Sequence, residues 1–502
     1  MQITLPRLVG EQCRILYLPE NANQVVLGVA GSGKSVEAAY RAVWISIGHP
    51  NDKILVLSVN RDVNIQLKKM IDSYNHNANI EVSTVYSYFK KLMNKYYPQN
   101  GYFRQCRRDY LEKKEKSVDD NQVELVALTR DEEEECLENV ITNTQKQYPD
   151  STLWNKNNVT GFIKDEIKWM KENNVRHRPE YLNIKRIGRG NQRLSPQQRQ
   201  IMFNIYRDYY KQVVKETGKV FDFDDIYYFV KKYCVTNIPE QKRPKYIIID
   251  EVQDISPVMF DGLQAIIAPD GYWTVFGDTS QNIFGQRISW QSLGLSNIRK
   301  QYRLHRNYRN TKQIGALAKS ILDTDLFSVA RNDQTFIEPS LSAFCGSLPL
   351  LWHIRAGHLA PLKQFLNKHL NSSTAVVAMS FQSEGEVEEI LKKLKIPFET
   401  NIEKWDDQDK QHVFLGTINQ IKGLEFDSVA VLFIDDLQPR LSDDANENGH
   451  LAIDLADDDK AIIAKTVYVA MTRARKNLLL AYRNNPLSFL FHDDQLIQKV
   501  SD

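Results

Sequence analysis

Between residues 25 and 95 the apolar positions fall in short runs, 25–29, 53–59 and 80–85, separated by stretches of helical spacing at 36–48 and 62–74. Short apolar runs alternating with helices predict a parallel sheet wound on both faces. Residues 96–220 break that alternation. They are charged, read as helical, and form an insertion in the first domain. Strands return at Tyr246–Ile249 and Trp273–Phe276. A second alternating block runs from 300 to 490: helix 307–322, strand 375–380, helix 383–395, strands 413–418 and 428–435, helix 464–476 and strand 477–482. Asp436–Asp459, rich in Asp and Asn, reads as a solvated loop. The pattern predicts an α/β chain with a first domain at 1–95 and 216–300, a mostly helical insertion at 96–215, and a second domain at 301–502.

Chemistry enters at the end of the first run. Gly28, Val29, Ala30, Gly31, Ser32, Gly33, Lys34 and Ser35 stand between a strand and a helix, where a phosphate-binding loop belongs. The glycines let backbone N–H groups point at phosphates, and the following helix adds the positive end of its dipole. Lys34 is placed to reach β- and γ-phosphates, and the Ser35 hydroxyl to hold Mg²⁺. The strand Tyr246–Ile249 ends in Asp250 and Glu251. A carboxylate beside a phosphate loop suits Mg²⁺, and a second one, free of metal, suits the orientation or deprotonation of water. The next strand ends in Gly277-Asp278-Thr279-Ser280-Gln281, where an amide suits sensing of a γ-phosphate, and Phe284 follows as a base-stacking candidate. Arg309 and Arg473 sit at element ends in the second block, where closure of a cleft would bring them to a transferring phosphate. Gln12 precedes the loop; its amide either reads an adenine edge or faces solvent on a helix.

Composition changes the picture only a little. At 502 residues the chain exceeds one core, and 42% apolar with 25% charged residues is ordinary for a water-soluble protein. A net charge of +2 requires any nucleic-acid surface to be local. Five scattered cysteines without a C-x-x-C pair argue against a zinc site or a disulfide framework. No long apolar run and no signal-peptide core is present, which reads as cytoplasmic, without a membrane role. Arg176, Arg178, Lys185, Arg186, Arg189, Arg193 and Arg199, near Trp169, His177 and Tyr181, either track a phosphate backbone or form a solvated helical face. Asp222-Phe223-Asp224-Asp225 reads locally as a helix N-cap.

Taken in order, these segments resemble a superfamily 1 helicase of the UvrD/Rep kind. GVAGSGKS is similar to that family's first nucleotide motif and Gln12 to its adenine-reading glutamine. Leu57–Asn60 and Ser83–Ser87 fall where it keeps early DNA contacts. Asp222–Asp225 resembles its Asp-Phe-Asp-Asp element, Ile249–Asp254 its second nucleotide motif, and Gly277–Gly285 its third. Asn307–Asn310 resembles the segment whose tyrosine, here Tyr308, stacks on adenine and whose arginine, here Arg309, meets the γ-phosphate. Gly416–Phe426, with Gly423 and the ribose-bonding Glu425, resembles the fifth motif. Tyr468–Arg475 resembles the sixth, with Arg473 as arginine finger.

The resemblance implies two RecA-like domains, ATP and Mg²⁺ as cofactors, and 3′→5′ movement on single-stranded DNA. It places Asn60, Thr84, Tyr86, Phe284, Thr417 and Asn419 on the nucleic acid. The chain also departs from the family. Ile396-Pro397-Phe398 runs quickly into the fifth motif, so the large insertion of bigger members is absent or tiny. The aromatic that ends the third motif is replaced by Gln286, an early one is replaced near Ser58, and Tyr86 and Asn419 stand in histidine positions. Trp290 is a candidate substitute. These departures allow an alternative: a nucleic-acid-gated ATPase switch or loader in a complex with a protein partner such as a nuclease.

Overall fold

The computed structural model describes residues 7–74, 79–113, 124–156, 158–186, 194–217, 222–278, 301–327, 337–355, 358–401, 405, 412–436 and 457–500. Gln281, Phe284, Gln286 and Trp290 lie outside the described residues, as do Arg189 and Arg193.

The first part alternates as its pattern predicts: β1 (Gln24–Gly28), α1 (Lys34–Gly48), β2 (Ile54–Ser58), α2 (Arg61–Tyr74), β3 (Ile80–Thr84) and α3 (Val85–Tyr96). Helices α4 (Tyr102–Lys113), α5 (Arg130–Gln147), α6 (Val159–Glu172), α7 (Arg178–Asn183) and α8 (Pro196–Thr217) follow. Then come α9 (Ile226–Tyr233), β4 (Tyr246–Ile249), α10 (Pro257–Ile266), β5 (Tyr272–Gly277) and β6 (Gln301–Leu304). The sheet order is β3-β2-β4-β5-β1-β6, with every pair parallel. Strands β1, β2 and β4 are buried along their whole length, which is why they read as continuous apolar runs.

Two boundaries differ from the sequence reading. Residues 301–304, expected in the second domain, pair with β1 as the edge strand of the first sheet. Phe103 and Leu125, inside the expected insertion, pack with Leu55, Phe89 and Ile249 in the first core. The separate helical core starts at Leu128 and runs to Val213.

The second sheet is built from β7 (Leu350–His353), β8 (Thr374–Ala378), β9 (Phe398–Glu399), β10 (Val413–Thr417), β11 (Phe426–Leu432), β12 (Ala474–Tyr482) and β13 (Gln498–Val500). Its order is β13-β7-β12-β11-β8-β10-β9, again parallel throughout. Helices α11 (Lys312–Leu322), α12 (Ala360–His369), α13 (Phe381–Leu394), α14 (Ile418–Ile421) and α15 (Asp457–Met471) belong to this half. Ala30 of the glycine loop packs into the core of the second sheet, so the loop lies where the two halves meet. Among the described residues no helix is long and apolar enough to cross a membrane.

Two element ends moved, and both shifts position an arginine. A helix was expected from 307; it begins at Lys312. The Asn307 side chain accepts the N–H groups of Arg309 (2.9 Å) and Asn310 (3.0 Å), a local turn that competes with helix. A helix was expected to reach 476; α15 ends at Met471 and β12 starts at Ala474. Asn310 Nδ2 holds the Thr472 carbonyl at 3.1 Å, and the Phe426 N–H donates to the Arg473 carbonyl at 3.0 Å. Arg473 thus occupies the short connection between α15 and the start of β12, an interior strand of the second sheet.

Candidate functional site

The glycine loop follows β1 and ends at α1. Gly31 (φ +76°) and Gly33 (φ +91°) are left-handed, a region that glycine enters without steric cost. A Cβ on Gly31 would lie 2.4 Å from Asn307 Oδ1, and one on Gly33 2.1 Å from Gln12 Nε2. The loop is therefore gripped from both sides, by the Asn307–Arg309 turn and by Gln12. The Gln12 amide donates to the Ser32 carbonyl at 2.8 Å and accepts from the Val9 N–H at 3.0 Å. It is buried, not solvent-facing, and braces the loop. The Tyr308 N–H donates to the Gly31 carbonyl at 2.9 Å, and its hydroxyl accepts from the Glu11 N–H at 3.2 Å. Gln12 and Tyr308 thus meet at one end of the loop.

At the other end, Lys34 Nζ donates to the carbonyls of Gly28 (3.0 Å) and Val29 (3.1 Å) and stands 3.8 Å from Asp278 Oδ2. Ser32 Oγ, 1% exposed, has no hydrogen-bond partner among the described residues. Asp250 Oδ1 accepts the Glu251 N–H at 3.0 Å, while its buried Oδ2 has no such partner. Burial and then the neighbouring Glu251 charge push Asp250 up to about 7, with the Ser35 hydroxyl pulling the other way. Burial would raise Glu251 too, but the positive charges of Lys34, Lys422 and Arg473 outweigh it and hold Glu251 below the usual carboxylate range.

The second half contributes cations. Arg309 pairs with Glu425, and its Nη1 donates to the Thr472 carbonyl at 3.4 Å. Arg475 holds the other Glu425 oxygen at 3.1 Å. Loss of water would raise Glu425, but these two guanidinium groups keep it at about 2. Arg473 is 1% exposed and donates through Nε to the Val469 carbonyl at 3.1 Å. Burial, and then the Arg309 charge, lower it to about 10, while Glu251 and Glu425 act in the opposite sense. Lys34, Asp250, Glu251, Arg309, Arg473 and Glu425 therefore share one electrostatic neighbourhood. Gly423 takes a different position. Its φ is +90°, and a Cβ there would lie 2.1 Å from Val63 Cγ2, so it permits close contact with α2.

The expected nucleic-acid residues divide. Asn60 Nδ2 donates to the carbonyls of Lys422 (2.9 Å) and Asn419 (3.2 Å), linking the two halves. Thr84 and Thr417 act as helix N-caps of α3 and α14. Tyr86 packs against Phe223, with ring centroids 4.7 Å apart. Phe223 is 47% exposed and was missed as a stacking candidate; its solvent-facing aromatic ring beside Tyr86 is the signal. Lys422, paired with Asp254 at 2.5 Å, was also missed, because its partner lies on the other half of the chain.

Three members of the basic cluster, Arg176, Arg186 and Arg199, are spent inside the protein. Arg176 bonds Asp225 (2.6 Å) and the hydroxyls of Tyr206 (3.0 Å) and Tyr210 (2.7 Å). Arg186 pairs with the buried Glu166. Arg199 holds the carbonyls of Tyr181, Leu182 and Ile184. Only Arg178 and Lys185 of the described members are exposed. The Asp222–Asp225 segment does not cap α9 through a side chain either. Asp222 and Asp225 instead clasp Lys171 of α6, which fastens the helical region to the first sheet's side.

Residues 9–302, more than half of the chain, match the UvrD/REP helicase N-terminal domain. Residues 370–485 match the UvrD-like helicase C-terminal domain. A probable DNA helicase II homolog of Mycoplasma capricolum subsp. capricolum is 29% identical over 136 residues, 24% of this chain and 18% of that protein. The putative ATP-dependent DNA helicase YjcD of Bacillus subtilis is 31% identical over 132 residues, 24% of this chain and 17% of that protein. The ATP-dependent DNA helicase srs2 of Schizosaccharomyces pombe is 32% identical over 133 residues, 24% of this chain and 14% of that protein. Each match spans less than a fifth of the relative's length. With both domain families matched in order around a shared glycine-loop cleft, the chain belongs to the UvrD/Rep family of superfamily 1 helicases.

Proposed function

We propose that the chain is a cytoplasmic ATP-driven helicase and translocase that moves 3′→5′ along single-stranded DNA. One observation carries this reading: Arg309 and Arg473, held beside the second sheet, share an electrostatic neighbourhood with Lys34, Asp250 and Glu251 of the first. Groups from two units that converge on one loop turn hydrolysis into relative movement. Lys34 and the loop N–H groups hold the phosphates. Glu251, kept ionised by the surrounding cations, orients or deprotonates the attacking water. Arg309 exchanges Glu425 for the γ-phosphate, Arg473 stabilises the charge that develops there, and Gln281 senses it. Gln12 and Tyr308 receive the adenine, and Glu425, once released, the ribose. The unpartnered Asp250 Oδ2 fits a hard cation. Ser35 and Asp250 would hold Mg²⁺, which would screen phosphate charge.

The strand track runs past Asn60, Thr84, Tyr86, Thr417 and Asn419, with Phe284 and Phe223 as stacking rings. The test is ATP turnover and strand displacement by the intact chain and by Glu251→Gln. Turnover stimulated by single-stranded DNA and abolished in Glu251→Gln is expected. Unchanged turnover in the variant would sink the assignment. A second reading has one observation in its favour. Only residues 400–412 separate β9 from β10, which leaves no room for a large duplex-engaging subdomain. On that reading the chain is a nucleic-acid-gated ATPase switch or loader beside a partner such as a nuclease. Stimulated hydrolysis without displacement selects it.

A further inference from the structure

The segment after β4 makes an unusual turn. Glu251 sits at φ +55°, a left-handed conformation that non-glycine residues adopt at a cost. A short turn at Val252–Asp254 follows. Together they send the Gln253 side chain back toward the acid that precedes it by two residues. Gln253 Nε2 donates to Glu251 Oε2. Its Oε1 accepts the Asp278 N–H at 3.0 Å. The side chain is 3% exposed, so both ends of the amide are committed within the protein. Flipping it would set its oxygen against a carboxylate and its NH₂ against an N–H, so its orientation is fixed from both ends.

Asp278 directly follows β5, and its carboxylate stands 3.8 Å from Lys34. The strand end comes this close only because residue 277 is glycine. A Cβ there would lie 2.7 Å from Val252 Cγ1 and 3.1 Å from Gln253 Oε1. One amide therefore joins three pieces of the site: the acid assigned to water, the end of β5, and through Asp278 the loop lysine.

We propose that Gln253 is a positioning residue that aims Glu251 and ties that aim to the end of β5. A shift of Asp278 is then felt at the Glu251 carboxylate through a single side chain. The inference rests on the ATPase reading of Glu251.

The experiment measures ATP turnover, with and without single-stranded DNA, for the intact chain, Glu251→Gln, Gln253→Met, Gln253→Glu and the double variant Glu251→Gln/Gln253→Met. Stimulated turnover in the intact chain and its loss in Glu251→Gln test the reading of the site. Gln253→Met keeps the length and loses both hydrogen bonds. It is expected to lower kcat by about 10²-fold, the cost of a small misplacement of a reacting group, with KM for ATP within about twofold. Gln253→Glu keeps the acceptor for the Asp278 N–H but sets a like charge against Glu251, and it should be at least as slow. Measured as the residual single-turnover rate of ATP cleavage in the Glu251→Gln background, Gln253→Met should cost nothing further, because the group it aims is gone. Full kcat in Gln253→Met, wild-type behaviour of Gln253→Glu, or additive losses in the double variant would overturn the proposal. An equal thermal melt for Gln253→Met and the intact chain separates a loss of aim from a loss of fold.

Discussion

Glu37 faces inward from the first turn of α1, is 1% exposed, and leaves Oε1 without a partner among the described residues. Burial pushes its carboxyl from 4.5 up to about 9. A raised folded-state value means that stability is full below the unfolded value and is lost as pH rises toward the folded one. Between those limits the loss is on the order of 1 kcal/mol per pH unit. Glu37→Gln removes the ionisation while keeping the shape. Its melting temperature should therefore exceed that of the unmodified chain by a margin that grows from about pH 5 to about pH 8. A margin independent of pH contradicts the account. At this scale the sequence revealed chemistry but not partners. That Lys34, Asp250 and Glu251 come together was legible because a strand–loop–helix context fixes where those residues stand. Gln253 stood in a recognised motif, but only the left-handed turn at Glu251 shows where its amide goes. Arg176, left open between a phosphate contact and a solvated face, is turned inward instead, because composition does not reveal the buried Asp225 that neutralises it.

Among elements, α6 and the start of α9 are joined by charge rather than by apolar packing. Lys171, 1% exposed, lies between Asp222 and Asp225 and under the rings of Tyr209 and Tyr210. Its ammonium is held well above its ordinary range: burial opposes this, and the two aspartates outweigh it. Removing one partner of a buried pair leaves uncompensated charge, which costs about 3–5 kcal/mol. Lys171→Met should lower unfolding free energy by that amount in urea, and a loss below about 1 kcal/mol, as for a surface pair, would refute the assignment. Of the described strands, β1 to β5, β8 and β10 to β12 were legible from apolar runs to within about three residues, whereas the short or edge strands β6, β7, β9 and β13 were not. The ends of α11 and α15 were not. Asn307 stops one helix from starting early, and Asn310 anchors the carbonyls after the other. Both effects depend on side-chain bonds that hydrophobic spacing does not carry. It is these exceptions that bring Arg309 and Arg473 to the cleft.

For the whole molecule, the halves meet at several points that no local pattern announces. Asn60 reaches the 419–422 turn, Lys422 reaches Asp254, Gly423 lies on Val63, and Ala30 enters the second core. The family motifs foretold two parallel sheets, and these meet at the glycine loop. They did not foretell that Asn60 would be engaged in the joint, or that Gly423 would serve a close approach to α2. The nucleic-acid face is consequently less settled by sequence than the nucleotide face, since its expected residues also carry capping and bridging duties. The central claim is that hydrolysis needs an arginine from the end of a second-sheet strand acting on a site built by the first. Steady-state ATP turnover of the intact chain and of Arg473→Lys, each with and without single-stranded DNA, tests it most directly. Stimulated turnover in the intact chain and a fall of about 10³-fold or more in Arg473→Lys, with ATP binding retained, is the predicted result. Arg473→Lys turning over ATP at the unmodified rate would contradict it.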